Sequence, residues 1–330
     1  MTAATSRPTA TSGTTAASFS APAPASSEPD DDGGSRPAAV VAPAGSAASG
    51  TPDKDLRRRR NRSGLRQVLL ALPVPVLLII FWDLGVRQGW TLPLDIRMAQ
   101  VPAPGAVARR LADVAVGGII NDPFSGELLR HTQASIVRVF SGFGLAMLMA
   151  IPLGVLMGRS RLMSRLLEPT LNLIRPIPVT AWVPLALIII GIGDRSTIFL
   201  VFLSAVFPIL LNTISAVQQV PTRLLEAAAM LGTPKVQALY KVVIPAAVPG
   251  MISGLRVALG LAWVVLVVGE TTGITVGLGA MITEAKEVSK TDLIVAGMVY
   301  IGLLGFLSDR LLVGLVKAVS RRRPILNHTP

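Results

Sequence analysis

Residues 226–232 read Glu-Ala-Ala-Ala-Met-Leu-Gly, and residues 242–245 read Val-Val-Ile-Pro. This short, helix-prone and weakly polar segment lies between two long apolar runs, at 196–217 and 248–269. Each run is long enough for a helix that crosses a bilayer, which needs about 20 residues. A loop between two membrane spans is where a membrane protein contacts something soluble on one side of the bilayer.

The composition is that of a membrane protein. Hydrophobic residues make up 51% of the 330 residues and the mean hydropathy is +0.60, while charged residues reach only 15%, against about 25% in a soluble domain. We therefore predict an all-α, polytopic membrane protein with about six transmembrane helices. A polar connection at 87–130, with an amphipathic piece near 105–116, separates the first two. The predicted spans are 67–86, 132–157, 172–192, 196–217, 248–269 and 293–316.

The basic residues indicate an orientation in the membrane. If the N-terminus is cytoplasmic, 18 Lys and Arg flank the spans on the cytoplasmic side and 8 on the other. This bias predicts that both termini and the loop 218–247 are cytoplasmic. The net charge of +12 does not indicate nucleic-acid binding, because the basic residues sit beside apolar spans and aromatic residues are only 5%.

The chain divides into four predicted parts. Residues 1–55 form an Ala/Ser/Pro-rich cytoplasmic tail that we expect to be disordered, either a plain linker or a docking tail. Residues 56–130 hold a basic anchor, the first span and the external connection. Residues 131–323 form the transport domain, and 324–330 are a short tail. The absence of cysteine excludes disulfides and thiolate metal sites, and we expect no metal site; His131, beside a membrane entry, is more consistent with a structural role.

The loop 218–247 carries the start and stop signals of two helices. Thr222 is a candidate N-cap for a helix over about 223–231. Leu224, Leu225, Ala228 and Leu231 would form its apolar face, and Gly232 fits the left-handed position that ends a helix.

After Gly232, Thr233 and Pro234 predict a second start, with Thr233 as N-cap and Pro234 at the first helical position. Pro245 and Pro249 are expected to break the chain before the next span. From the residues alone, this helix–turn–helix is either a docking surface or an amphipathic hairpin lying on the lipid headgroups.

A family resemblance favours the docking surface. The spacing of Glu226, Ala227, Ala228, Gly232, Val242, Ile244 and Pro245 resembles the EAA loop of the inner-membrane permease subunits of binding-protein-dependent ABC importers. The resemblance extends over about 92–323 and, through Arg175-Pro176-Ile177-Pro178 and Trp182-Val183-Pro184 among other segments, is closest to the aliphatic sulfonate, taurine and nitrate branch. Ala229 stands where many members of that branch carry a basic residue.

The resemblance implies a type I importer fold with a MetI-like permease core in the cell membrane. It implies separate ATPase subunits that bind ATP and Mg, an extracytoplasmic solute-binding protein, and a second permease copy, most simply in a homodimer. The coupling residues would be Glu226, Ala227, Ala228, Gly232 and Pro245, with Ala227 and Ala228 allowing close packing in an ATPase groove. The solute would be a small anion such as a sulfonate, taurine or nitrate, or alternatively another small solute.

The chain itself is not expected to be an enzyme or to hold a cofactor. It lacks the G-x-x-x-x-G-K-[ST] phosphate loop, so ATP hydrolysis is expected on a partner chain. An intramembrane hydrolase would need a nucleophile–base pair or a metal cluster, and no H-E-x-x-H, cysteine or aligned acid pair occurs within the predicted spans. A membrane assembly or scaffold protein remains the alternative from a different class.

Polar residues within the spans are the remaining candidates. Arg256, Glu270, Asn212 and Trp182 are candidates for the solute pathway or a gate. For Arg138 we favour a side chain that reaches the membrane interface, and for Arg256 a structural ion pair.

Glu270, with Thr271 and Thr272, is either an outer gate or a wet loop, and we favour the loop. Asn212 and Thr213 are expected to hydrogen-bond between helices, and Asp309 and Arg310 to pair with neighbouring helices. Small residues in span two and prolines in span three indicate, respectively, tight helix packing and a broken helix. These residues are Gly142, Gly144, Gly154, Gly158, Pro176, Pro178 and Pro184.

Overall fold

The computed structural model describes residues 73–92, 96–120 and 122–320. The predicted tails at 1–55 and 324–330, and the basic block before the first span, lie outside the described residues. The described part is nearly all helical, as predicted. Its helices are α1 (Pro73–Arg87), α2 (Pro104–Val116), α3 (Leu128–Arg159), α4 (Arg161–Ile174), α5 (Val183–Ile190), α6 (Asp194–Gln218), α7 (Thr222–Met230), α8 (Lys235–Ala238), α9 (Ile244–Glu270), α10 (Leu278–Glu287) and α11 (Thr291–Ser320).

Two very short strands follow α1. Strands β1 (Thr91–Leu92) and β2 (Ile96–Arg97) pair antiparallel, with Thr91 opposite Arg97. A 3₁₀ turn at Met98–Gln100 then leads to α2, whose first residue is Pro104. Proline is well suited to the first turn of a helix, because its missing N–H would have no partner there. The amphipathic helix expected near 105–116 is therefore confirmed.

In the part of the chain that the structure describes, four helices are long and apolar enough to cross a membrane. They are Leu128–Arg159, Asp194–Gln218, Lys235–Glu270 and Thr291–Val316. A further pair, Arg161–Ile174 and Val179–Ile190, is apolar enough when taken together and is bent by 81°, the geometry of a broken span or a re-entrant loop. The break predicted from Pro176, Pro178 and Pro184 is thus confirmed. Of the predicted first span, only the part from Pro73 onward lies in the described residues.

Helices α3, α6 and α9 form the centre of the fold. Their packed side chains include Val139, Val201, Leu210, Leu259 and Leu266, all almost completely buried. Large apolar side chains on the outer surfaces of these helices stay exposed, as expected for residues that face lipid or another chain. The buried stripe on each span therefore marks the helix faces that recognise one another.

Small residues allow α3 and α6 to approach closely. A methyl group added at Gly142, Gly154 or Gly158 would lie 2.7 to 2.8 Å from Val201, Thr213 or Val217, respectively. Three of the four glycines predicted for helix packing are therefore at the contact. Gly144 is a correction, because nothing lies within 4 Å of the position that its side chain would occupy.

The predicted break at Pro245 and Pro249 is wrong. Helix α9 begins at Ile244 and includes both prolines, and a π-helical turn at Leu239–Val243 joins it to α8, so that Lys235–Glu270 forms one helical span. Proline removes one hydrogen-bond donor from a helix, and neighbouring turns or π geometry accommodate the loss. Here the π turn ends at Val243, two residues before Pro245, and the span begins well before residue 248.

Candidate functional site

Helix α7 carries the Glu-Ala-Ala segment and ends as predicted. Gly232 has φ of +73°, a left-handed conformation that glycine adopts without strain. The amide of Gly232 donates to the carbonyl of Ala229 at 2.9 Å, and the amide of Thr233 donates to that of Ala228 at 3.0 Å. These two bonds define a Schellman motif, which sharply ends the helix.

Both predicted N-caps are wrong by one residue. Thr222 is the first residue of α7, and Pro221 precedes it as the cap. Likewise Pro234, not Thr233, is the cap of α8, which begins at Lys235. In both places the proline carbonyl accepts the first helical hydrogen bond, from Leu224 at 3.1 Å and from Ala238 at 2.9 Å. Extended backbone angles at these prolines set the helix starts without a side-chain cap.

The predicted apolar face of α7 is divided between two environments. Ala228 is buried, and Leu225 packs on a cluster that includes Val155, Val217 and Val243. Leu231, in contrast, is 85% exposed, and Leu224 is also exposed. The Ala228 side chain is therefore enclosed within this chain, whereas that of Ala227 is open to a partner.

The exposed part of the loop forms a candidate coupling surface. We define it by the exposed residues Glu226, Ala227, Met230, Leu231, Val236 and Tyr240. Met230 is 87% exposed, and all the large side chains except Glu226 are mainly apolar. Sequence reasoning missed Met230, Val236 and Tyr240, whose exposure depends on how the two short helices fold back.

Pro245 lies behind this surface. It is half-buried, beside Val243 and Ile244, which pack into the same cluster as Leu225. The Val-Val-Ile-Pro segment therefore supports the loop from the end of the membrane span. Gly232, by comparison, lies in the exposed turn between α7 and α8.

At the opposite end of the fold, a buried charge network joins four helices. Arg138 of α3 is 4% exposed, which corrects the expectation that it reaches an interface. Its Nη1 donates to Oε1 of Glu270 at 2.6 Å, and its Nε and Nη2 contact Oδ1 of Asp194 at 2.9 and 2.7 Å. All three guanidinium nitrogens are thus used, on carboxylates of α6 and α9.

Glu270 is the centre of that network. It is fully buried and accepts hydrogen bonds from the hydroxyl of Ser135 at 2.7 Å and the amide of Gly279 at 2.8 Å, as well as from Arg138. The wet loop that we favoured is therefore wrong for Glu270, whereas Thr271 and Thr272 lie in the turn after α9, with Thr271 exposed. A side chain at Gly277 would lie 2.5 Å from the Glu270 carboxyl. Only glycine permits this close approach of backbone and carboxylate.

His131 belongs to the same region. It is buried, and its Nδ1 lies 2.8 Å from the carbonyl oxygen and 3.0 Å from the amide nitrogen of Gly277. This contact agrees with the structural role expected for it. Among the residues that the structure describes, no group of three or more His, Cys, Asp or Glu is arranged to hold a metal ion.

A second charged group lies outside the predicted spans. Arg110 of α2 bonds Asp122 and Asp292, each at 2.8 Å, and Lys290 also contacts Asp122. Burial disfavours the charged form of Asp122, but Lys290, the Phe124 amide and Arg110 outweigh it and hold its pKa below the ordinary value. The sequence offered no signal for this network, because its members are spread over α2, the following loop and the start of α11.

Arg256 forms the ion pair that we expected. Its Nε and Nη2 donate to the two carboxylate oxygens of Asp309 at 2.6 and 2.9 Å, a two-pronged contact between α9 and α11. The Arg256 side chain is 50% exposed and that of Asp309 is 25% exposed. Arg310 instead lies over the ring of Phe306 in its own helix.

The other two pathway candidates have structural contacts. The Asn212 amide donates to the carbonyl of Pro208 in its own helix at 2.8 Å, so the predicted bond between helices is wrong. The buried Thr213 hydroxyl has no hydrogen-bond partner among the described residues. Trp182 is half-buried against Ala186, Leu200 and Val265. The four candidates therefore lie in four separate contact sets.

Comparisons with known proteins agree with this architecture. Residues 150–323 match the family model described as binding-protein-dependent transport system inner membrane component. A putative ABC transporter permease protein of Methanocaldococcus jannaschii is 42% identical over 74% of this chain and 88% of its own length. The taurine transport system permease protein TauC of Escherichia coli is 35% identical, over 78% of this chain and 89% of its own.

A nitrate relative and one solved structure extend these findings. The nitrate import permease protein NrtB of Synechocystis is 31% identical over 80% of this chain and 95% of its own length. The methionine ABC transporter MetNI, solved in inward-facing conformations, has a chain that aligns with a TM-score of 0.53 at 22% identity. That alignment covers 61% of this chain and 99% of the other, and it shows a shared fold.

Proposed function

We propose a function that follows from the family of this chain, which belongs to the binding-protein-dependent transport system inner membrane components and is a permease subunit of an ABC importer. The chain carries a small anionic solute inward, driven by separate ATPase subunits docked on the coupling surface. The solute is a sulfonate, taurine, nitrate or a similar small oxyanion. Support comes from relatives named for taurine and nitrate. ATP and Mg bind to the ATPase chains.

The observation that carries this proposal is the exposure of apolar side chains at the end of α7. Met230 and Leu231 are 87% and 85% exposed, next to the rigid stop at Gly232. Exposed apolar groups with polar neighbours mark protein or membrane contacts, and membership of the importer family favours a protein partner here. The excess of basic residues on this side of the spans supports a cytoplasmic position, with both termini inside the cell.

The rear of α7 offers a route for mechanical coupling. Leu225 packs with residues of α3, α6 and the segment that leads into α9, including Val155, Val217 and Val243. A push on α7 therefore acts on the ends of three membrane helices. We infer that closure of the ATPase pair moves these helices and switches the permease between inward and outward openings.

Besides the ATPase, the family implies a solute-binding protein that delivers the solute on the outer side. We propose that a second copy of this chain completes the pathway as a homodimer. The binding protein would supply most of the solute selectivity in such an assembly.

The test is co-purification and uptake with a candidate ATPase subunit expressed together with the permease. Met230→Glu combined with Leu231→Glu places two charges on the coupling surface, and we expect loss of both the ATPase and ATP-dependent uptake. Val116→Glu is a matched control, because Val116 is 82% exposed at the end of α2, far along the chain from the loop. Full ATPase binding by the double variant would refute the docking assignment.

Two single variants test individual coupling residues. Gly232→Pro should weaken ATPase association, because proline cannot adopt the φ of +73° that ends α7. Glu226→Lys reverses a charge on the exposed surface without touching the packed side. Both variants should still insert in the membrane, and retention of full uptake by both in reconstituted vesicles would contradict the proposal.

A further inference from the structure

A groove between α9 and α11 contains the Arg256–Asp309 pair. Its volume is about 620 Å³, within the range of about 300–1,000 Å³ that small-molecule sites occupy. Arg256 and Asp309 are the charged residues among those that line it, and the other walls are apolar or glycine. The indole nitrogen of Trp263, which also lines the groove, is already bonded to Ser308 at 2.9 Å.

The position of this pair is unfavourable for a lipid-facing surface. Arg256 lies 14 residues before Glu270, the last residue of α9, which is about 21 Å along a helix that rises 1.5 Å per residue. With Glu270 at one face of a hydrocarbon core about 30 Å thick, Arg256 lies inside the core, about 9 Å from the other face. A charge in that region faces the bundle interior or a water-filled cavity. A half-exposed ion pair at this position therefore indicates a water-filled pathway or a surface covered by a second chain.

Glycines keep the groove open. A methyl group added at Gly260 or Gly302 would meet nothing within 4 Å. This differs from Gly154, where an added methyl group would strike Thr213 of the neighbouring helix. Gly260 and Gly302 therefore leave open space beside the ion pair and do not bring the two helices into close contact.

Arg256 also has unused capacity for hydrogen bonding. Nε and Nη2 bond Asp309, whereas Nη1 makes no hydrogen bond within the described part of the chain. The guanidinium fork matches carboxylates and other oxyanions in a two-pronged geometry. The groove thus combines the unbonded Nη1 donor of Arg256, the Asp309 carboxylate as its counter-ion, and open space beside them.

We propose that Arg256 is a transient binding residue for the oxyanion of the transported solute, and that Asp309 is the internal counter-anion which the solute displaces. This inference rests on the proposed transport function and assigns a site to it. In the empty groove the pair is neutral. When a sulfonate, nitrate or similar anion enters, it accepts hydrogen bonds from the Arg256 guanidinium, and the displaced Asp309 carboxylate is solvated by water. Competition from Asp309 keeps affinity low, as a transport pathway requires.

The absence of native cysteines allows a direct test in the full-length permease. Gly302→Cys puts one thiol in the groove where a side chain meets open space. In lipid nanodiscs, its reaction rate with sulfonatoethyl methanethiosulfonate is divided by its rate with the neutral methyl methanethiosulfonate. We expect this anion preference to fall by about tenfold when Arg256→Gln is added, the scale of one lost charge-assisted hydrogen bond.

Three further variants make the result specific. Asp309→Asn should raise the anion preference, because Arg256 loses its internal competitor. Arg256→Gln with Asp309→Asn removes the arginine without leaving a lone carboxylate that would repel the anionic reagent. With folding verified by size-exclusion chromatography, its anion preference should stay below that of the parent, which separates loss of the Arg256 site from repulsion by Asp309. Leu303→Cys is the positional control, since Leu303 is adjacent and 56% exposed but does not line the groove; it should show no dependence on Arg256.

An equal anion preference in Gly302→Cys and in Gly302→Cys with Arg256→Gln would overturn the inference. The measurement needs no ATPase, so the two proposals fail separately. If ATP-driven uptake is observed but Gly302→Cys shows no anion preference, the Arg256 site is refuted and the proposed transport function stands. An Arg256-dependent preference without ATP-driven uptake would leave the site and remove the proposed function.

Discussion

Arg138 and Arg256 are both arginines within membrane helices, and both pair with carboxylates of other helices. Arg138 is buried, and its three guanidinium nitrogens contact Glu270 and Asp194. Arg256 is half-exposed and uses two of its nitrogens on Asp309, beside an open groove. The difference teaches that a charge in a span indicates neither structure nor function until its surroundings are known. The fully bonded arginine holds helices together, and the open one has capacity for a ligand.

The largest expected effect is the loss of the buried pair. Arg138→Gln leaves the Glu270 carboxylate buried without its cation, and breaking a buried ion pair costs about 3–5 kcal/mol. We expect a large fall in the unfolding temperature of the detergent-solubilised permease. Adding Glu270→Gln should restore part of that loss, because the uncompensated charge is removed. An unchanged unfolding temperature in Arg138→Gln would show that the network is not structural.

A smaller effect is expected from the glycine that packs on this network. Gly277→Ala places a methyl group 2.5 Å from the Glu270 carboxyl, and such overpacking costs about 1–3 kcal/mol. Gly302→Ala is the matched control in the open groove, where a methyl group meets nothing within 4 Å. Thermal unfolding of the two variants should separate them clearly. Equal stability would contradict the contrast between a packed region and an open one.

Acid tests the third charge network, which lies outside the spans. Burial opposes ionisation of Asp113, but the amides of Ile120 and Ile119 and the Ser125 hydroxyl outweigh it, so its pKa lies below the ordinary 3.8. A lowered carboxyl pKa means that stability is present above about pH 4 and is lost as the pH falls through the folded-state pKa. Asp122 shifts in the same direction.

We therefore expect the unfolding temperature to fall as the pH is lowered below about 4, where these carboxylates take up protons. Asp113→Asn should show a shallower dependence on pH over that interval, because one of the titrating groups is absent. An identical slope in the variant and the parent chain would mean that Asp113 does not contribute to acid stability.

The smallest effect on stability is expected at the open pair. Arg256→Gln with Asp309→Asn removes an exposed ion pair, and such pairs contribute about 0–1 kcal/mol. Thermal unfolding should therefore change little, whereas uptake by the assembled transporter should fall. A stability loss as large as that of Arg138→Gln would assign the pair a structural role and erase the distinction between the two arginines.

Short-range signals in the sequence predicted several features of the fold. Gly232 marked the end of α7, the prolines at 176–184 marked the bend between α4 and α5, and Gly154 marked close helix packing, all confirmed by the structure. Such signals depend on backbone chemistry within about one turn. Pro249 shows their limit, since a local rule predicted a break where the span continues.

Long-range partners were beyond local rules. Arg138 meets a glutamate 132 residues away, and only packing of α3 against α6 and α9 explains why it is buried and not at an interface. Ala228 and Leu231 show the same limit on one short helix, because the first is buried and the second exposed although both belong to one predicted face.

By itself, the sequence determined that this protein is a helical membrane protein with a short loop between two of its spans, since the length of apolar runs is a property of consecutive residues. The permease role came from the resemblance of the Glu-Ala-Ala segment to a known family. Tertiary structure alone decided which charges are enclosed and which remain open, because burial depends on helices that are distant in the chain. That decision separates Arg138, whose guanidinium is fully paired inside the fold, from Arg256, which we propose as the contact for the solute.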